Sequence, residues 1–392
     1  MKHAVNTLPL LQEINVDKKK KNITNEQLAD FLDVSKGFIS QIFSGKSRIT
    51  FIDFIEMIRY IYQDEERERH LIFEFCAATS KPLNLCVAME FASVHREYDL
   101  LNFLVQKGLT HHNAMVKECA TFYDYLYRRS KGKLTGNELW KAILKEKKKP
   151  SFAEVKTLHS LILMYSFVDM REYNSLLKIS PEDHLDEEDE KKQKQKRINN
   201  EYITEAYDLR IKELQIIAHL MNNNVPIMRK LASECITPDL INDFPTFTAS
   251  IYHYLGQSFL HEDVNQSIIW VKKAIDLLES HKTEKFERNI KEFNDTLDFI
   301  KIEAGMDLHT IVPRTMAEMA HLYIKIGRNE EAIKILNQRL AESKDEAATP
   351  YMYYYLGLAT QSKEYLEKSA ILFEQHGNKF YAELPKKWLR AL

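Results

Sequence analysis

The 392 residues are too many for one hydrophobic core, so two or three domains are expected. A formal net charge of −2 excludes a polycation that coats nucleic acid, so any DNA contact must be local. With 44% hydrophobic residues but only 10 Gly and 10 Pro, the chain can bury a core yet lacks the punctuation of hairpins, which predicts an all-α protein.

The amino-terminal fifty residues are the basic end, with eight Lys or Arg against five Asp or Glu. A first helix is predicted over 9–19. The next would open at Thr24, whose hydroxyl caps it, with Gln27 three residues on completing a capping box. Leu28, Ala29, Leu32, Val34, Ile39 and Ile42 fall into two short helical patterns either side of "DVSKG", with Ser35 as a second N-cap. A further helix is predicted over 51–62. The spacing, from the early alanine to "ISQIFSGKSRIT", resembles the lambda-repressor-like DNA-binding domains across residues 8–62. Asp33 stands where a turn glycine is common, and an aspartate tolerates a left-handed backbone.

With the second helix of that motif in a major groove, Ser35, Lys36, Ser40, Gln41 and Ser44 would reach base edges. Gln41 suits adenine and Lys36 suits guanine, whereas Lys46, Arg48 and the run Lys18 to Lys21 are expected on phosphates. The bland alternative is a three-helix scaffold without DNA binding.

Residues 67–180 show looser helix pairs, and 181–200, "PEDHLDEEDEKKQKQKRINN", holds an acidic block followed by a basic one, predicting a solvated link. Beyond it, 252–278, 319–342 and 353–375 share one design. Gly256, Ala320 and Gly357 are the small residues of first helices, Ser267, Ala332 and Ser369 those of second helices, and Trp270, Leu336 and Phe373 the knobs. This resembles the tetratricopeptide repeat, whose pairs stack into a right-handed superhelix with a concave peptide-binding groove. By position, His253, Gln257, Arg314, His321, Tyr354 and Gln361 face that groove. The expected domains are therefore a reader at 1–66, degenerate repeats at 67–180, a link at 181–200 and a peptide-binding and dimerisation region at 201–392.

The stretch "IGRNEEAIKILNQRLAESKDEAATPYMYYYLGLATQSKEYLEKSAILFEQHGNKFYAELP" is similar to the arbitrium receptors, AimR, of temperate Bacillus phages. "AMEFASVHREYDLL" and "RRSKGKLTGNELWKAILKEKKKPSFAEVKTLHSLILMYSFVDMREYNSLL" extend the resemblance over most of 80–385. It implies a regulator that binds operator DNA when peptide-free, activates a gene favouring lysis, and is silenced by an imported peptide of about six residues. It also implies asparagines for the peptide backbone and acidic residues for its amine and arginine. By position these fall at His219, at Asn222 or Asn223, and at Gln257, with Arg229 and Glu303 near family contacts. His219 and Gln257 depart from the asparagine pattern, and Cys86 stands where relatives carry arginine. "LPKKWLRAL" lacks a further apolar segment that pairs subunits in relatives, although a homodimer is still expected with a two-fold operator.

An enzyme is disfavoured: G-x-x-x-x-G-K-[ST], G-x-S-x-G and H-E-x-x-H are all missing, and His111 beside His112 is the only histidine pair. No metal or cofactor is implied. Four scattered cysteines without C-x-x-C fit a reducing cytoplasm, and no apolar run suits a membrane span or signal peptide. Two rivals stay open on sequence alone: a host regulator of the same layout activated by its peptide, and a repeat adaptor that binds protein rather than DNA.

Overall fold

The computed structural model describes residues 7–147, 149–179, 197–281, 283–342 and 349–392. The described residues are helical throughout, joined by short turns. They divide into two compact units, the first comprising Met1–Leu134, Glu146–Ile162 and Asp186–Ala206, the second Thr135–Lys145, Leu163–Leu185 and Tyr207–Leu392. The charged segment expected as a link lies outside the described residues except for 197–200.

The first unit begins with α1 (Leu8–Lys20), α2 (Asn25–Phe31), α3 (Lys36–Phe43) and α4 (Phe51–Tyr62). Local chemistry sets each start. The Thr24 hydroxyl accepts from the Gln27 amide at 3.1 Å while the Gln27 side chain accepts from the Thr24 amide at 2.8 Å, a complete capping box. Ser35 caps α3 by accepting from the Phe38 amide, and Thr50 caps α4 through the Asp53 amide. Between α2 and α3, Asp33 takes the left-handed turn at φ 49° and the Val34 amide donates back to the Ala29 carbonyl.

Leu11, Ile14, Leu28, Ile39, Ile42 and Ile58 are buried between these helices. Their core runs on into α5 (Glu65–Ala78) and α6 (Pro82–Val94): the Phe54 ring stacks on Phe75 at 4.1 Å, and Phe51 meets Phe91 edge-on at 5.4 Å. The helices α7 (Tyr98–Leu109) and α8 (Ala114–Ser130) complete this stretch. Next come α9 (Gly136–Leu144), α10 (Ala153–Asp169), the single turn α11 (Tyr173–Leu176) and α12 (Glu201–Met221).

The second unit continues with α13 (Val225–Glu234), α14 (Pro238–Asp243), α15 (Pro245–Ser258), α16 (Val264–Glu279), α17 (Glu287–Ala304), α18 (Met316–Lys325), α19 (Asn329–Glu342), α20 (Thr349–Thr360), α21 (Lys363–Gln375) and α22 (Lys379–Ala391). From α15 onward each helix packs on the next in chain order, the stacking expected of helical repeats. Two close crossings explain the small residues. A Cβ on Gly256 would sit 2.4 Å from the Val271 side chain, and the Ser267 hydroxyl donates to the Gly256 carbonyl at 2.7 Å, so α15 and α16 touch backbone to side chain. The Ser369 hydroxyl likewise donates to the Pro350 carbonyl at 2.8 Å, tying α21 to α20.

Leu336 and Phe373 are buried knobs as predicted, but Trp270 is not. It lies half-buried against Tyr252 and under the Lys273 ammonium, because the buried face of α16 runs through Ser267, Val271, Ala274 and Leu278. Val271 fills the position assigned to the tryptophan. The eighteen residues of α17 fill the interval between the first two repeat copies. Among the described residues no helix is long and apolar enough to cross a membrane.

Candidate functional site

In the first unit, Ser35, Lys36, Ser40, Gln41, Ser44, Lys46 and Arg48 are all exposed, along or just beyond α3. Ile39, Ile42 and Phe43 point the opposite way into the core, so the helix presents one apolar and one polar face. Several polar groups are partly engaged. Ser40 donates to the Lys36 carbonyl and accepts from the Asn25 amide nitrogen at 3.1 Å, which fixes α2 against α3. The Gln41 side-chain carbonyl accepts from Ser47 at 2.6 Å, holding its amide in one orientation. Lys36 reaches Glu26 at 3.4 Å, an exposed pair of little energetic weight.

The lysine run divides, correcting the expectation that all four meet phosphate. Lys18 is only 3% exposed; its ammonium donates to Asn25 and lies over the Phe43 ring. Burial pushes its pKa down. Lys21 donates to the Ile61 carbonyl at 2.7 Å and covers Tyr62. Lys19, Lys20 and Lys21 remain exposed, Lys20 beside Asp17, so only Lys18 is withdrawn from solvent.

The second unit contains a cavity of about 340 Å3, within the range of small-ligand sites. Its walls include His253 and Gln257 from α15, Glu292 and Thr296 from α17, Tyr351 from α20, Tyr381 from α22, Ile217 and Met221 from α12, and Arg171 and Tyr173 around the turn after α10.

Its polar wall is a directed chain of hydrogen bonds. The Thr296 hydroxyl donates to the Glu292 carbonyl, so it must accept from His253 Nε2, 2.9 Å away. That assigns the proton of His253 to Nε2 and leaves Nδ1 to accept from the Gln257 amide nitrogen at 3.3 Å. The Gln257 carbonyl in turn accepts from the Tyr381 hydroxyl at 2.9 Å. Burial holds the His253 imidazole down to about 3, so the ring is neutral, and burial likewise pushes the Tyr381 and Tyr351 hydroxyls up, so both remain donors.

Glu303, His321 and Tyr354 form a second, buried cluster in the same unit. Tyr354 donates to Glu303 Oε1 at 2.7 Å, His321 Nε2 lies 3.0 Å from Oε2, and the Lys325 ammonium sits 3.6 Å away while donating to the Glu303 carbonyl. Trp388 Nε1 donates to the Tyr354 hydroxyl at 3.2 Å, which adds α22 to the network. Burial alone would raise the Glu303 carboxyl, but the His321 bond, the charge His321 takes on at low pH, the Lys325 charge and the Tyr354 bond bring it to about 2. Burial lowers His321, and its Nδ1 is buried with no hydrogen-bond partner, a tolerable state for a lone pair and a costly one for an N–H. His321 is therefore a neutral donor, and the charge opposite Glu303 is that of Lys325.

The remaining predicted groove residues lie elsewhere. Arg229 is fully engaged, donating to the Ser258 hydroxyl and carbonyl and to Glu262, with its guanidinium 3.8 Å from the Phe259 ring centre. Arg314 bridges Asp295 and Asp298 at 2.9 Å each. His219 is not among the cavity-lining residues although Ile217 and Met221, two residues to either side, are; its Nδ1 is buried without a partner. Asn222 donates to the Ala218 carbonyl, and Asn223 is the exposed left-handed residue ending α12. Sequence reasoning missed Arg171, Thr296 and Tyr381, none of which sits at a repeat position that would single it out.

A reading helix with a polar outer face, joined in one chain to stacked helical repeats enclosing a polar cavity, defines a one-component transcriptional regulator. A helix-turn-helix family model matches residues 18–61, and the AimR transcriptional regulator-like family model matches residues 68–391. The chain belongs to that AimR-like family. An uncharacterized protein of Bacillus anthracis is 31% identical over 264 residues, 67% of this chain and 94% of the relative. The AimR transcriptional regulator of Bacillus phage phi3T is 21% identical over 338 residues, 84% of this chain and 83% of the relative. Among solved structures, selenomethionine phAimR matches with a TM-score of 0.71 at 20% identity, over 97% of this chain and 96% of that one. The phAimR–ligand structure matches with 0.67 at 19% identity, over 88% and 98%.

Proposed function

We propose that the protein is a peptide-responsive regulator of the phage lysis–lysogeny decision. Two copies would bind an operator through α3, and an imported peptide of about six residues would end that activity. Ser35, Lys36, Ser40, Gln41 and Ser44 would face the bases, with Lys46 and Arg48 on phosphates. Peptide would lie along the second unit, with His253 and Gln257 at its backbone and the Glu303, His321 and Tyr354 cluster holding the helices behind it. His219, Asn222, Asn223, Arg229 and Arg314 would act at the margins, the two arginines by fixing helices.

The observation that carries this reading is the neutral, fully oriented hydrogen-bond chain on the cavity wall. Amide groups that leave water must find partners or cost about 1–3 kcal/mol each, and a chain of neutral donors and acceptors suits peptide better than a charged small molecule. A ligand-bound form of phAimR supports the same reading.

Footprinting with purified protein on DNA flanking its own coding region tests it. Two protected half-sites one helical turn apart are expected, and hexapeptides from the end of a secreted precursor encoded nearby should release them. Tightening by peptide would favour a peptide-activated regulator of the same architecture. No selective protection would leave an adaptor that binds protein.

A further inference from the structure

One guanidinium lines the cavity of the second unit without a partner among the described residues. Arg171 lines it beside Tyr173 and Tyr351, and its charge draws both hydroxyls down against the larger upward push of burial. The side chain is half-buried, and among the described residues its guanidinium makes no hydrogen bond or ion pair. The other arginines of this unit that the site involves are spoken for: Arg229 by Ser258 and Glu262, Arg314 by Asp295 and Asp298. Five N–H donors partly removed from water and left unmatched are a standing cost unless something arrives to accept them.

The backbone points the same way. Arg171 ends α10 in the left-handed region, φ 61°, a position where glycine is usual and a side chain costs about 1–2 kcal/mol. Its carbonyl oxygen lies 2.3 Å from where a Cβ on Gly377 would stand, so the turn after α10 is pressed against the turn before α22. The Arg171 amide donates to the Val168 carbonyl and the Glu172 amide to the Phe167 carbonyl, so this helix stop fixes the point from which the side chain leaves the backbone.

We infer that Arg171 receives the free C-terminal carboxylate of the peptide that lodges in this cavity. The guanidinium fork matches a carboxylate through two parallel N–H···O bonds. A dianion such as phosphate suits the site less well, because Glu292 contributes a negative charge to the same lining. The remaining N–H and lone pair of Gln257 and the tyrosine hydroxyls then serve the amides that precede the terminus, with His253 holding Gln257 in place. This rests on the peptide reading above and adds to it the direction in which the peptide lies and the chemistry of its end.

The test uses the full-length protein and three synthetic hexapeptide libraries: free acids lacking Asp and Glu, the same sequences as C-terminal carboxamides, and carboxamides carrying one Asp or Glu. Peptides retained after rapid filtration are counted by mass spectrometry. Wild-type protein should retain free acids at least tenfold over plain carboxamides. Arg171→Gln should abolish that preference at an unchanged melting temperature, and Arg171→Lys should restore part of it. The wild-type comparison stands even where a variant fails to fold. Equal retention of free acids and carboxamides, or a preference that survives Arg171→Gln, overturns the inference while leaving the peptide reading intact. Acidic carboxamides retained as well as free acids would move the carboxylate to a side chain and overturn the terminal assignment. Retention of no library overturns the peptide reading and this inference with it.

Discussion

Replacing Glu303 with glutamine changes one charge and almost no volume, and the structure gives the size of the effect. The wild-type carboxyl is 16% exposed and falls from an ordinary 4.5 to about 2 on folding. At about 1.4 kcal/mol per pKa unit a shift of that size is on the order of 3 kcal/mol, an upper bound at pH 7 because part of it is the charge His321 carries only once protonated. Glutamine keeps an acceptor for Tyr354 but turns an N–H toward His321, forcing that ring to move its proton to Nδ1, where no partner waits. Lys325 meanwhile keeps its bond to the Glu303 carbonyl and loses its counter-charge.

The pH dependence separates this from a packing defect. A depressed carboxyl pKa stabilises the fold fully above the unfolded value and loses that stabilisation as pH falls from 4.5 toward 2. The gap between wild type and Glu303→Gln should therefore be at most about 3 kcal/mol at pH 7 and shrink by about 1 kcal/mol between pH 5.5 and pH 4, where the carboxyl begins to take up its proton. Titration of His253 also weakens the fold below pH 6.5, but it is common to both proteins and cancels in the difference. Urea unfolding at pH 7, 5.5 and 4, read by circular dichroism, measures the gap. A gap that does not change with pH, or a variant as stable as wild type, would refute the assignment of Glu303 as the ionised centre of this network.

Gly256→Ala drives a methyl group toward Val271 at 2.4 Å and should cost about 1–3 kcal/mol of unfolding free energy, with Ser267→Ala costing about 1 kcal/mol through its lost hydrogen bond. Thr24→Ala removes the capping box of α2 and should lower the stability of the first unit by about 0.5–2 kcal/mol, visible as faster amide exchange across α2. On DNA, Arg48→Ala should weaken all sequences alike and reduce the salt slope of binding by about 1, whereas Lys18→Met should leave the slope unchanged because that ammonium faces Asn25. Gln41→Ala should relax discrimination at one base pair by about 1–3 kcal/mol, measured by competition between operator variants.

What the sequence made legible was local. Thr24, Gln27 and Ser35 act on amides three residues away, so the start of each reading helix could be read from spacing alone. The inward turn of Lys18 was also legible: it follows Leu11 and Ile14 at helical spacing, and that phase outweighs its membership of a charge run. The same phase would have chosen Val271 over Trp270, since it lies four residues beyond Ser267. The ligand site was legible only in part, because its bonds join distant segments. Tyr381 meets Gln257 across 124 positions, and Glu303 meets Tyr354 across 51. Repeat position found Gln257 and Tyr354 and family resemblance found Glu303, but neither says which side chains converge. Arg171 left no pattern at all; its proposed role rests on its place in the cavity lining and on a guanidinium with no partner among the described residues.

If α3 reads an operator as proposed, its chemistry calls for two readers on one site. Ser35 spends its hydroxyl on the cap of its own helix, and Ser40 and Ser44 donate to the carbonyls of Lys36 and Gln41. Lys36 and Gln41 remain as the side chains able to discriminate bases strongly, at about 1–3 kcal/mol for each well-made contact. One copy thus reaches roughly 2–6 kcal/mol, whereas regulators separate operator from bulk DNA by about 4–10 kcal/mol. A second copy on a symmetric half-site closes that gap without any further contact per reader. Under the proposed function, occupancy would then depend on the distance between the two copies of α3, a quantity that peptide bound to the other unit would change without touching DNA.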